Sequence, residues 1–153
     1  LKRAFLFSCL TGLRWSDIHK LKWKEVHFTN KIGRVHYYQQ KTKNLEYLDI
    51  SEEALSYLGE KSNDENKPFE GLKYSSYFNV ALTQWMLKAG ITKHITFHCA
   101  RHTHATLLLT NGVDIYTVSK LLGHKEIKTT QIYARIIDEK KKEAVNKIPS
   151  IKL

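Results

Sequence analysis

The chain has 153 residues, 42% of them hydrophobic and 26% charged, with 7 Gly and 2 Pro. That length supports one domain with a real core, and the proportions exclude disordered, collagen-like and low-complexity chains. Lys and Arg number 25 against 15 Asp and Glu, a net charge of +10 that points to a polyanionic partner, nucleic acid first. No apolar run approaches the ~20 residues of a membrane span. Cys9 and Cys99 are too few for a disulfide scaffold and lack paired zinc spacing.

The sequence opens at Leu1 inside an apolar periodic segment, with no initiator Met and no secretory signal, which reads as an excised domain. Residues Ala4 to Leu10 are almost all apolar and predict a buried helix ending near Thr11, before Gly12. Ser16 is read as the cap of a short helix through Leu21, with Asp17 in its first turn, so Arg14 falls between two helices. From Val26 the composition shifts to Tyr, Val, Thr and Ile. A strand is expected at Val26–Thr29, then two more, GRVHYYQQ and LEYLDI, flanking the polar tetrad Lys41-Thr42-Lys43-Asn44 as a hairpin.

Ser51 with Glu52 and Glu53 opens a helix that runs out at Gly59, and a polar loop follows to Pro68. Ser75 or Ser76 caps a helix to Ala89, closed by Gly90. A further apolar helix spans Phe97 to Thr110 and stops at Gly112. Asp114 caps a helix with Ile115, Val118, Leu121 and Leu122 on one face, ended by Gly123. Helices are also expected over Lys128–Arg135 and Asp138–Lys147. The fold class is α+β, mainly α, with a small three-stranded antiparallel sheet towards the N-terminal side.

Several cations sit at the junctions of these elements. Arg14 precedes a helix start, Lys41 and Lys43 occupy the hairpin tip, and His124 follows the Gly123 stop. His98 and Arg101, three apart, share a helix face, and with Thr96 as cap both lie in the first turn, where backbone amides favour an anion. No carboxylate cluster accompanies them, whereas a metal-dependent nuclease needs several to hold its ions. If this chain acts on phosphodiesters, cations must stabilise the phosphoryl oxygens, a role for which the planar, permanently charged arginine is suited.

The strings TGLRWSDI, QQKTKN at the hairpin tip, FHCARHTHATLLLTNGVD and LLGHKEIKTTQIYARI follow one another in the order seen in tyrosine recombinases. The chain resembles this family of phage and conjugative-element integrases and Xer-like resolvases, from about Leu1 to beyond Arg135. The resemblance is to the catalytic domain, so residues 1–153 are expected to be that domain without its N-terminal core-binding partner. It implies that Arg14, Lys41, His98, Arg101 and His124 are catalytic, with Tyr133 as nucleophile. Lys43 and Lys125 are expected to contact DNA, and Asp17 and His102 to support the catalytic groups.

The reaction so implied is cleavage by Tyr133 to a 3′-phosphotyrosyl link and a free 5′-hydroxyl, reversed by the 5′-hydroxyl of a partner strand. A phenol, with its pKa ~10, is a weak nucleophile while protonated. His98 is the expected base, Lys41 the acid on the leaving oxygen, and Arg14, Arg101 and His124 the holders of the non-bridging oxygens. No metal, ATP or other cofactor is implied. The implied partners are double-stranded attachment sites and three further copies in a synaptic tetramer, the isolated chain being a monomer. The implied location is the cytoplasm, at the nucleoid, of a bacterium.

Among eight tyrosines, Tyr37, Tyr38 and Tyr47 read as strand packing. Tyr57, Tyr74 and Tyr77 read as helical and away from the motifs, and Tyr116 as lying off its helix's core face. The pair His98 and His102, four apart, lacks the Glu and third ligand of a zinc protease. Two alternatives use the same fold: a type IB topoisomerase that relaxes supercoils, and a DNA-binding regulator without catalysis. In the resemblance, the segment 138–153 either packs on a neighbouring domain in trans, through Ala144, Val145 and Ile148, or forms a flexible tail.

Overall fold

The computed structural model describes residues 1–29, 32–38 and 45–133, and beyond them residues 138, 141, 144 and 145. Lys41, Lys43 and most of the expected Asp138–Lys147 helix lie outside the described residues. Two compact units share the chain, Leu1–His104 and Ala105–Leu153. Among the described residues no helix is long and apolar enough to cross a membrane.

The first unit is built on α1 (Lys2–Thr11), the short α2 (Trp15–Ile18), a sheet of β1 (Val26–Thr29), β2 (Ile32–Tyr38) and β3 (Leu45–Ile50), then α3 (Glu52–Ser56) and α4 (Ser76–Lys88). Helix α5 (His98–Thr110) begins in this unit and crosses the division. Both expectations of class and sheet hold: the strands run in the order β1-β2-β3, all antiparallel.

The register places Val26 opposite Val35 and Val35 opposite Leu48, so the inner face of the sheet meets Ala4, Phe7, Leu13, Ile18 and Leu58 in one core. Phe5, one residue off that face of α1, instead joins Leu82, Met86 and Ala100 in a second core. Burial on two sides is why α1 is apolar nearly all round.

The period-2 alternation turns His27, Arg34, His36, Tyr38 and Tyr47 to the outer face. Tyr38 and Tyr47 are therefore 67% and 60% exposed, not packed as their residue type suggested. Helix α2 also departs from expectation. Its N-cap is Arg14 rather than Ser16, and regular helix stops at Ile18, although Leu21 N–H still reaches back to Asp17 and Ile18.

The second unit holds the remainder of α5, α6 (Ile115–Leu121) and a 3-10 helix at Ile127–Tyr133, where an α-helix was expected. Asp114 caps α6 as read, its carboxylate accepting from Thr117 N–H at 2.9 Å. Leu122 points inward with Val118, Ala105 and Leu109, while Leu121 is largely turned to solvent. Tyr133 is buried in that same cluster.

Candidate active site

Arg14 stands three residues beyond the end of α1, and hydrogen bonds fix the turn between them. Gly12 is left-handed at φ 69°, its N–H donating to Ser8 O at 2.8 Å. Thr11 Oγ1 donates to Phe7 O and accepts from Leu13 N–H, and Ser8 Oγ donates to Leu13 O at 2.7 Å. All three residues before Arg14 are buried, so its backbone leaves the core at a fixed point.

Helix α5 is fastened to the same turn. Arg101, 5% exposed, donates from Nη1 to Gly12 O at 2.6 Å. One turn on, buried His104 donates from Nδ1 to Cys9 O at 3.2 Å. The last carbonyls of a helix have no partner within it, and here two side chains of α5 serve carbonyls at the end of α1. His104 is thus a structural residue, its pKa pushed below the ordinary value by burial.

His98 stands in the first turn of α5, three residues before Arg101. Its ring meets that of His102 edge-on, with centroids 4.7 Å apart. Although the side chain reaches solvent, partial burial lowers its pKa, with smaller contributions from His102, Arg101 and Arg14. A neutral imidazole is the state a general base requires. Thr96 engages this turn through Cys99: its N–H lies 3.4 Å and its hydroxyl 3.6 Å from Sγ, and its carbonyl accepts from Cys99 N–H.

Arg14, His98 and Arg101 line one cavity of about 570 Å³. Nη1 of Arg14 is buried and has no hydrogen-bond acceptor among the described residues. A guanidinium N–H in that state is costly and ready for an oxyanion. Lys73, Tyr74 and His94 line the same cavity, and Tyr74 packs edge-on against Trp15 at 5.4 Å. The sequence reading had set Tyr74 apart from the motifs; it precedes α4 and meets the residue next to Arg14 only through the fold.

Asp17 is buried in α2 and is felt by Tyr37, whose phenol is pushed up to about 12 by burial first and by Asp17 and Glu46 next. Arg101 and Arg14 pull the same phenol the other way, so Tyr37 stands near both arginines as a neutral hydroxyl. Its alternation in β2 marked it as packing and gave no sign of that neighbourhood.

In the second unit, His124 is placed by the end of α6. Gly123, at φ 57°, donates to Lys120 O at 2.8 Å, and His124 N–H to Ser119 O at 3.0 Å. This paired closure pins the residue after the glycine. Nδ1 of His124 lies 2.8 Å from Oγ1 of Thr130. Tyr133 ends the 3-10 helix, and Lys125 is exposed beside His124. Sequence reasoning passed over Thr130, which a Thr-Thr pair among polar residues did not distinguish.

The catalytic domain of the integrase of bacteriophage HP1 shares this fold, with a TM-score of 0.65 at 24% identity, over 96% of this chain and 81% of that one. XerH recombinase, solved on its difH DNA in a post-cleavage complex, gives a TM-score of 0.74 at 20% identity, over 95% of this chain and 45% of that one. Among curated proteins, the tyrosine recombinase XerA of Saccharolobus solfataricus is 36% identical over 132 residues, 83% of this chain and 43% of that protein. XerC of Lactobacillus delbrueckii is 33% identical over 141 residues, 82% and 47% of the two chains. The chain spans about half the length of these relatives. The pattern of the phage integrase family matches residues 1–140, and the chain belongs to that family.

Proposed function

We propose that this chain is the catalytic domain of a site-specific DNA recombinase. Tyr133 Oη attacks the scissile phosphorus, the P–O5′ bond breaks, and a 3′-phosphotyrosyl ester and a 5′-hydroxyl result. The phenol proton passes to His98, and Lys41 protonates the departing 5′-oxygen. Arg14, Arg101 and His124 bear the charge on the non-bridging oxygens. Asp17 and His102 orient these groups, and Lys43 and Lys125 hold the flanking backbone. Attack by a second 5′-hydroxyl reverses the step, so the ester conserves the bond without ATP or metal.

The observation that carries this reading is the meeting of Arg14, Arg101 and a neutral His98 on one cavity. Two permanent cations beside a base suit an anionic phosphorus centre. Named relatives that are tyrosine recombinases, and neighbours solved on DNA, support the same chemistry. In this reading the substrate is double-stranded attachment-site DNA of a mobile or chromosomal element, exchanged within a tetramer in the cytoplasm, with residues 138–153 coupling the subunits.

A nicked suicide duplex carrying the native attachment site, incubated with the full-length protein, tests it. A covalent protein–DNA adduct is expected, undiminished by EDTA and abolished by Tyr133→Phe while duplex binding persists. Adduct formation by that variant, or loss in EDTA, overturns the reading.

A further inference from the structure

Thr130 is fully buried. Four threonine hydroxyls on the helices turn back to a carbonyl one turn earlier, Thr11 to Phe7, Thr83 to Asn79, Thr103 to Cys99 and Thr110 to Thr106, while Thr117 donates to the Asp114 carboxylate. Thr130 does neither. Among the described residues its hydroxyl meets the ring of His124, at 2.8 Å from Nδ1, and no other hydrogen-bond partner. A buried hydroxyl hydrogen needs an acceptor, and leaving it without one is unfavourable. Thr130 therefore donates and Nδ1 accepts.

A ring nitrogen that accepts a hydrogen bond carries no hydrogen, so the single ring proton of neutral His124 resides on Nε2. A doubly protonated ring would turn Nδ1–H towards Oγ1 and leave the hydroxyl hydrogen with no acceptor among the described residues. The backbone on both sides is fixed as well. His124 is held by the closure of α6, and Thr130 lies in the 3-10 helix three residues before Tyr133. Residues three apart eclipse one another in a 3-10 helix, so the face that buries Thr130 also buries Tyr133, and both are in fact enclosed.

We propose that Thr130 is a positioning residue for strand transfer: its hydroxyl holds His124 as the Nε2–H tautomer, a neutral donor to a phosphate oxygen, and its place on the 3-10 helix ties that donor to the nucleophile. This rests on the reading of His124 as a phosphate ligand. The 3-10 geometry is what allows one threonine to serve both, since a regular α-helix would rotate positions 130 and 133 apart by about 60°.

The test uses the 153-residue chain with ¹⁵N-labelled histidine, and long-range ¹H–¹⁵N correlation spectra above pH 7.5, with the His124 signals identified by their loss in His124→Gln. The wild type is expected to show protonated Nε2 and bare Nδ1. Thr130→Ser keeps that pattern, and Thr130→Val, similar in shape but without the hydroxyl, gives mixed tautomers. On a nicked suicide duplex carrying the native attachment site, Thr130→Val lowers the cleavage rate about 10- to 100-fold, the scale of loss when the hydrogen-bond partner of a metal-bound histidine is removed. Duplex affinity stays unchanged, and Thr130→Ser restores the rate.

A wild-type spectrum with protonated Nδ1, which requires no variant, overturns the proposal. So does a Thr130→Val spectrum identical to the wild type, or full cleavage by Thr130→Val where His124→Gln has lost it. Full cleavage by His124→Gln itself refutes instead the role of His124, whatever the tautomer.

Discussion

His98 shows how one residue's surroundings select its chemistry. Partial burial, then the neighbouring His102, Arg101 and Arg14, all disfavour its charged form, so its pKa lies below the ordinary histidine value of about 6.5. A base works only while neutral. The acid limb of the cleavage rate is therefore expected to fall below pH 6.5, since a lowered pKa keeps the imidazole neutral further into acid. Single-turnover rates on a suicide duplex between pH 5 and 8 measure it; a midpoint at or above 6.5 speaks against His98 as the base. Replacing His102 by Phe removes one of the charges that depress His98, and the midpoint should then rise. His98 and Arg101 were legible in the sequence because a three-residue spacing on a helix is a local fact. Tyr74 and Tyr37 were not, because only the fold brings position 74 to Trp15 and position 37 near Arg14 and Arg101.

The end of α1 and the start of α5 act as one joint. Gly12 supplies both a left-handed backbone and the carbonyl that receives Arg101, and His104 closes on Cys9 one turn further along. An alanine at position 12 would hold φ near 69° only with strain, at a cost of about 1 kcal/mol or more. Gly12→Ala is expected to lower stability by roughly that amount in urea. It should also slow cleavage by more than the stability loss explains, because the Arg101 acceptor moves with the turn. A variant destabilised to the same degree but fully active would show that the joint serves folding alone. Most helix ends were readable, since Gly12, Gly90, Gly112 and Gly123 each follow a helix and Asp114 and Ser75 each cap one, but the helix read as far as Gly59 stops at Ser56. The 3-10 form of Ile127–Tyr133 was not readable, since its apolar spacing fits a short α-helix equally well. Ser16 misled for a related reason, because Ser is a preferred cap but the turn fixed by Thr11 and Leu13 starts α2 two residues earlier than that cap implied.

Over the whole molecule, part of the positive charge is used for structure. Arg3 donates to the carbonyls of Tyr57, Leu58 and Pro68; Lys22 and Lys24 share Glu65; and Arg34 forms a two-pronged pair with Asp49 across the sheet. The ion pairs are exposed and add little to stability, whereas His104 is 8% exposed and titrates inside the fold. Its pKa is lowered in the folded chain, by burial first, while in the unfolded chain it titrates near 6.5. Between those two values the unfolded state binds a proton that the native state does not, so the stability of the fold rises with pH through this window. Descending from neutrality, the loss begins as pH passes below about 6.5 and continues until the native ring also protonates. Protonation there would place a charge in the core and turn a second N–H into it, beside the hydrogen bond to Cys9. Urea unfolding at pH 8 and at pH 5.5, followed by circular dichroism, should show lower stability at the acid end. His104→Phe is expected to be less stable than the wild type at pH 8, where the bond to Cys9 O is lost, and to show a smaller drop on acidification. An equal acid drop in both proteins would place the titrating group elsewhere than in the joint between α1 and α5.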